Sequence, residues 1–275
     1  MPTQTEKAAV FQALHQRPQV FVIANPWDAG TARILTGLGF PALSTTSAGL
    51  AFALGRTDGT ASVTRDEALA NAKAIVDATH LPVAADLENG YGHAPEIVAE
   101  TIRLAAAAGL VGASIEDATG DPTKPIYDFN HAVERVAAAA SAAHALPFPF
   151  MFVARAENYL HGRNDFDDTV RRLQAFEAAG AEVLYAPGIT SPDNIRTLCA
   201  SVKKPVNLLM GLKGAHRLSV EEVGALGVRR ISIGSGFARA AMTAFLHAAR
   251  EVREDGTFTF ADETLYMSEL TQLFG

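Results

Sequence analysis

Leu81-Pro82-Val83-Ala84-Ala85-Asp86-Leu87-Glu88-Asn89-Gly90-Tyr91-Gly92 takes an apolar run straight into two carboxylates and two glycines. Val83 to Ala85 show no polar alternation, which suits a strand buried on both faces, as in a parallel sheet covered by helices. Asp86 and Glu88 leave the strand two residues apart, so continued extension would point both side chains the same way. Two carboxylates at one strand end repel, and a positive group is expected between them. A hard divalent ion such as Mg2+, which takes oxygen ligands and keeps its waters, meets that need. Gly90 and Gly92 let the backbone turn sharply. A solvated strand-to-helix loop is the plainer alternative.

Outward from this segment, short apolar runs alternate with helical patterns. The expected strands are Phe21 to Ala24, Pro41 to Thr46, Leu81 to Asp86, Val111 to Ile115, Phe150 to Val153, Glu182 to Tyr185, Pro205 to Leu209 and Arg230 to Ile233. The helices between them are Ala29 to Leu38, Asp66 to Thr79, Ala94 to Ala108, Asn130 to His144, Asp165 to Ala179, Pro192 to Ser201, Ser219 to Leu226 and Phe237 to Val252. Eight such units predict a (β/α)8 TIM barrel, with a doubly wound open sheet as the structural alternative. Residues 1–275 then form a single domain. Asp262 to Phe274 reads as one more amphipathic helix with no strand to cover, so residues 237–275 are expected to pack on a neighbouring subunit.

Composition narrows the function classes. A formal charge of −7 and the lack of any Lys/Arg-rich run argue against nucleic acid as a partner. Met1 to Lys7 is polar, unlike a signal peptide, and no apolar run is long enough to span a bilayer, so a cytoplasmic protein without membrane contact is expected. The single cysteine, Cys199, rules out an internal disulfide and any multi-cysteine metal site.

In a barrel of this kind chemistry sits at the C-terminal strand ends. The polar residues there are Asn25, Ser44 to Gly49, Asp86, Glu88, Glu116, Asp117, Arg155, Glu157, Tyr185, Asn207 and Gly234. Ser47-Ala48-Gly49 could present backbone N–H groups to a carboxylate, or form only a tight turn. Arg155 closes an apolar strand, where a fixed two-pronged donor suits a carboxylate or a developing oxyanion; a salt bridge to Glu157 or another acid is the alternative. Glu116 and Asp58 could reach a cation held by Asp86. Ile233-Gly234-Ser235-Gly236 could bind phosphate or be a close-packed turn. Lys213 is a Schiff-base candidate or a surface lysine. His93 and His161 lie near strand tops but lack zinc-ligand spacing.

Together, Thr45-Thr46-Ser47-Ala48-Gly49-Leu50, Asp58-Gly59, Asp86 to Gly92, Ser114-Ile115-Glu116-Asp117, Ala154-Arg155 and Pro205-Val206-Asn207 resemble the isocitrate lyase/phosphoenolpyruvate mutase superfamily. The resemblance implies a Mg2+-dependent barrel, Mn2+ being the substitute ion, that handles small α-oxo or hydroxy carboxylic acids and their enolates. It implies a homo-oligomer, a dimer or a dimer-of-dimers with a C-terminal helix exchanged between subunits. Carried over, it makes Asp86 the direct metal ligand, with Asp58, Glu88 and Glu116 holding its waters. Ser47, Ala48 and Gly49 become the cradle for the substrate carboxylate, helped by Trp27 and Asn207. Arg155 becomes the residue that polarises the substrate oxygen, with Glu116 beside it.

One departure stands out. Lyases of this superfamily carry a Lys-Lys/Arg-Cys-Gly-His segment after strand four, whose cysteine serves as acid/base. The corresponding loop here, Ala118 to Tyr127, has no cysteine and no Lys-x-Asn-Ser of the phosphonate-forming mutases. Lys124 is its nearest functional match, and Asp121 or Tyr127 could move a proton. The expected activity is C–C cleavage of a di- or tricarboxylic acid beside its oxygen-bearing carbon. The alternatives are oxaloacetate decarboxylation, C–P chemistry on phosphonopyruvate, or an α-oxo acid binder with little turnover.

Overall fold

Eight parallel strands close into one barrel in the computed structural model, which describes residues 1–59, 62–211 and 218–274. The strands are β1 (Phe21–Ala24), β2 (Ala42–Ser44), β3 (Val83–Asp86), β4 (Gly112–Glu116), β5 (Met151–Arg155), β6 (Val183–Tyr185), β7 (Val206–Leu209) and β8 (Arg230–Ser232). Each pairs with its sequence neighbour, and β8 closes onto β1 through Val22 and Ile231. The closed ring excludes the open doubly wound sheet. The helices are α1 (Gln4–Gln16), α2 (Ala29–Gly37), α3 (Ser47–Ala53), α4 (Arg65–Asp77), α5 (Pro95–Ala107), α6 (Phe129–His144), α7 (Phe166–Ala178), α8 (Pro192–Ala200), α9 (Val220–Ala225), α10 (Gly236–Arg250) and α11 (Met267–Phe274). No described helix is long and apolar enough to cross a membrane.

Two helices lie where no element was expected. Thr3 and Glu6 form a reciprocal capping box that starts α1, whose Ala8, Phe11, Leu14 and His15 face inward at helical spacing. Phe11 is wholly buried and belongs to the same apolar cluster as Phe21, Ile23, Ala84, Met151 and Val183 of the strands, so α1 plugs the N-terminal mouth of the barrel. The fit is tight: a Cβ at Gly112 would stand 2.8 Å from the Met151 carbonyl and 2.9 Å from the Phe11 ring. The second addition, α3, begins at Ser47, within the long loop after β2, with Thr46 as its cap.

α11 is shorter than the expected helix and lies against α2 of its own chain, where Arg33 Nη1 donates to the Phe274 carbonyl at 2.7 Å. By contrast α10 buries only Ala238 and leaves Phe245 75% and Leu246 45% exposed. A barrel helix normally covers its strand with such a face.

Truncating the plug should be costly. Phe11→Ala is expected to lower unfolding free energy by about 3–5 kcal/mol in urea titration; a change below about 1 kcal/mol would show that α1 does not close the barrel.

Candidate active site

Strand register brings the acids and the arginine together. Asp86, Glu116 and Arg155 are the last residues of β3, β4 and β5, and Glu116 pairs directly with Arg155. Arg155 donates through Nη1 to Asp86 Oδ1 at 2.7 Å and through Nε to Glu157 Oε1 at 2.9 Å, while Nη2 lies 3.1 Å from Glu116 Oε2. Its guanidinium also stands 5.1 Å over the Tyr185 ring. The positive charge expected between the acids is therefore present within the chain, and the salt-bridge alternative for Arg155 holds with three partners rather than one.

Asp86 spends its second oxygen on Ser47, whose hydroxyl donates to Oδ2 at 3.0 Å. Glu88 arrives by a different path from the expected extended one: β3 stops at Asp86 and Glu88 has φ 48°, left-handed. It still lies close enough to Asp86 and Asp58 for the three charges to oppose one another. Burial first, then these neighbours, pushes the Glu88 carboxyl up to about 7. Burial and then Asp86 raise Asp58 as well. Burial raises Glu116 well above the carboxylate range against the pull of Arg155.

Five carboxylates (Asp58, Asp86, Glu88, Glu116 and Glu157) thus surround one guanidinium, and among the described residues no basic side chain pairs with Glu88. An all-oxygen donor set with surplus negative charge fits a hard divalent ion. Among the described residues, though, no three potential ligands stand as a ready-made cage. Both oxygens of Asp86 are engaged, by Arg155 and by Ser47.

Other expected site residues sit elsewhere or are already engaged. The Gly49 N–H donates to the Thr46 hydroxyl at 3.2 Å, and a Cβ at Gly49 would meet Thr46 at 2.6 Å and Trp27 at 3.0 Å. Gly49 is therefore needed for packing under Trp27, and Ser47 and Ala48 are left to offer the first turn of α3. Asn207 is 1% exposed; its amide donates to Ser232 at 2.9 Å and its oxygen accepts from Arg230 Nε at 2.8 Å. It lies within the barrel below Tyr185, second in its strand rather than at the strand end, and is not brought to the acids.

Lys124 pairs with Asp128 at 2.8 Å on an exposed face, because the bridge between Ala118 and Ile126 folds its loop back on itself. Asp121 accepts from Thr123 in the same loop. Ile233 and Gly234 give their N–H groups to Asn25 Oδ1, leaving neither for phosphate. Burial pushes the Cys199 thiol up to about 11, which suits a structural residue. Lys213 lies outside the described residues.

The structure also fixes two further acids. Glu157, 3% exposed and the partner that sequence already suggests for Arg155, completes the ring from just beyond the end of β5. Asp117 turns away from the site, accepting from the Glu157 N–H at 2.8 Å and from Arg172 at 3.0 Å, and so braces the ends of β4 and β5. Beside the acids opens a cavity of about 660 Å³ bordered by Glu88, Glu116, Asn89, Tyr91, His93 and His161.

Glu88 gives the site a measurable pH signature. Its folded pKa of about 7 lies above its ordinary 4.5, so its contribution to stability is present below that ordinary value and is lost as pH rises toward 7. In chelator-treated buffer, Glu88→Gln is expected to lose less stability between acidic and mildly alkaline pH than the parent, measured by urea titration. Identical losses in the two proteins would show that Glu88 is not held protonated.

Residues 11–253 match the family described as phosphoenolpyruvate phosphomutase. A crystal structure of a provisionally assigned lyase/mutase from Burkholderia cenocepacia J2315 superposes with a TM-score of 0.96 at 56% identity, covering 99% of this chain and 96% of that one. The 2-methylisocitrate lyase of Shewanella oneidensis is 29% identical over 92% of this chain and 87% of its own. The oxaloacetate decarboxylase of Chromohalobacter salexigens is 28% identical over 92% and 88%. A match running from the plugging helix past α10 carries the whole barrel with it, and the chain is accordingly an enzyme belonging to the phosphoenolpyruvate phosphomutase family, within the phosphoenolpyruvate mutase/isocitrate lyase superfamily.

Proposed function

We propose that this enzyme is a divalent-metal-assisted lyase that breaks a C–C bond beside the oxygen-bearing carbon of a small α-oxo or 2-hydroxy di- or tricarboxylic acid. One observation carries the reading: a single guanidinium, Arg155, sits among carboxylates in excess, at the strand ends, beside an open cavity. Asp86 would hold Mg2+, or Mn2+ in its place, with Asp58, Glu88 and Glu116 binding its waters. Such an ion supplies a positive charge against which an enolate or alkoxide is stabilised.

The protein's own groups do the rest. Asp86 is shared between Arg155 and Ser47; were it to hold the ion instead, Arg155 Nη1 would be free to donate to the substrate oxygen where negative charge collects. Tyr185 supports the guanidinium from beneath, its ring 5.1 Å away. Ala48, and Ser47 once its long 3.4 Å N–H contact to Asp86 Oδ2 is given up, would offer N–H groups at the start of α3 to a substrate carboxylate. Asp117 and Arg172 hold the ends of β4 and β5 so that Glu116 and Glu157 stay against Arg155.

Decarboxylation of oxaloacetate is the second reading. The acidic-residue ring suits it equally, no cysteine is needed to start it, and several relatives carry that name. The exposed face of α10 supports a homo-oligomer in which a second copy covers Phe245 and Leu246. The acidic charge and lone cysteine agree with a cytoplasmic enzyme acting on small acids.

Asp86→Ala is expected to weaken Mg2+-dependent oxalate binding by roughly 100-fold in calorimetry, the order seen when metal-site groups are lost. Arg155→Lys should lower turnover by roughly 100-fold, because a point charge does not reproduce the fork. Unchanged binding in the first variant would remove the metal assignment. Phe245→Asp is expected to shift the sedimentation mass toward the monomer, and an unaltered mass would free α10 from any role in assembly.

A further inference from the structure

We propose that His93 is the proton donor of the site, held in place by Tyr127 and Arg135, and that it fills the role which the loop cysteine serves in related lyases. The proposal rests on the lyase reading above. The turn that carries His93 is built with unusual care for a surface loop. Tyr91 has φ 61°, a left-handed conformation that a bulky side chain rarely adopts, and its N–H is caught by Asn89 Oδ1 at 3.0 Å.

Arg135, only 1% exposed, has no acidic partner among the described residues. It gives Nη1 to the Gly92 and His93 carbonyls, each at 2.6 Å, and Nη2 to the Asn89 carbonyl. Its guanidinium also stands 4.3 Å from the centre of the Tyr127 ring. A buried cation is costly. This one fixes the backbone of residues 89 to 93 from below and stacks on the tyrosine that meets the His93 side chain. His131 adds a third tie, its Nε2 3.0 Å from the His93 carbonyl.

The imidazole itself pairs with Tyr127, Nδ1 to hydroxyl oxygen at 2.6 Å, with the rings edge-on at 5.8 Å. With Nδ1–H donating to Tyr127, Nε2 is the nitrogen left to carry and release a proton. His93 borders the same cavity as Glu88 and Glu116. Of the three loop candidates that sequence offers for this role, Lys124 and Asp121 are turned outward onto Asp128 and Thr123, and Tyr127 meets His93.

As the C–C bond breaks, its electron pair remains on one fragment as an enolate; the other fragment leaves as CO2 from oxaloacetate, or as a carbonyl compound from a 2-hydroxy acid whose hydroxyl proton passes to solvent. A C–H bond forms at the enolate carbon while the Nε2–H bond of the imidazolium breaks, leaving neutral His93 with Nδ1–H still hydrogen-bonded to the Tyr127 oxygen. Solvent then returns a proton to Nε2.

Exchange of the pyruvate methyl protons in D2O with Mg2+, followed by NMR, reads this proton transfer without C–C cleavage. His93→Asn is expected to slow exchange and oxaloacetate turnover by about 100-fold or more, the range of a lost general acid. Oxalate affinity by calorimetry should stay as in the parent. Tyr127→Phe, a change to a positioning residue, should lower exchange by about 10-fold and leave oxalate affinity intact. An exchange rate in His93→Asn within about threefold of the parent, against the loss expected of a general acid, overturns the proposal, as does a loss of oxalate binding, which would make His93 a binding residue. A parent protein that binds oxalate yet neither exchanges pyruvate nor turns over oxaloacetate or 2-methylisocitrate removes the lyase reading itself and this proposal with it.

Discussion

Arg155 meets Asp86 at 2.7 Å, Glu157 at 2.9 Å and Glu116 at 3.1 Å while only 11% of its side chain is exposed. Two unit charges about 4 Å apart attract by roughly 4 kcal/mol at the effective dielectric of a protein site, and like charges repel by as much. Without the guanidinium, the carboxylates at the ends of β3 to β5 could not stay ionised together. With it, the rise in the Glu116 and Glu157 pKa values shows that burial still dominates. Burial and mutual repulsion thus hold the acids in tension, a tension that an added cation would relieve.

The barrel is what makes that tension sustainable. Below Arg155 a polar column runs beside the apolar side chains of the interior: Tyr185 under the guanidinium, then Ser232 and Asn207, then Arg230 at the foot, whose burial lowers it to about 10. Each member pairs with the next through strand register, Arg155 with Tyr185, Tyr185 with Asn207, Asn207 with Arg230. The stagger of a closed parallel barrel carries this diagonal from the catalytic rim toward the opposite mouth, where Phe11 of α1 seals it.

Most of this was open to reading in the sequence, and the gaps have physical causes. Buried parallel strands are continuous apolar runs and stand out, so all eight were locatable. α1 buries Lys7, Ala8 and His15 with only Phe11 and Leu14 as large apolar anchors, too weak a stripe to notice without its capping box. α3 runs for two turns on small residues, which look like a loop. For the site, period-two logic placed Asp86, Glu116 and Arg155 because each ends a regular strand. The same logic misled at Glu88, where the chain had already left the extended conformation, and at Asn207, which register sinks into the barrel. Nor does sequence say which way a loop lysine points, and Lys124 follows its neighbour Asp128 outward.

Asp86 joins these threads, because one carboxylate cannot serve Arg155 fully and a cation fully at the same moment. The two demands are coupled free energies, and coupling runs both ways. If Asp86 holds the proposed ion, a substrate that draws Arg155 toward its own oxygen would free Asp86 for the metal, and a metal on Asp86 would free Arg155 for the substrate. Each would then prepare the place of the other, and the Asp86–Arg155 pair keeps the guanidinium neutralised until an acid with an adjacent oxygen takes its place.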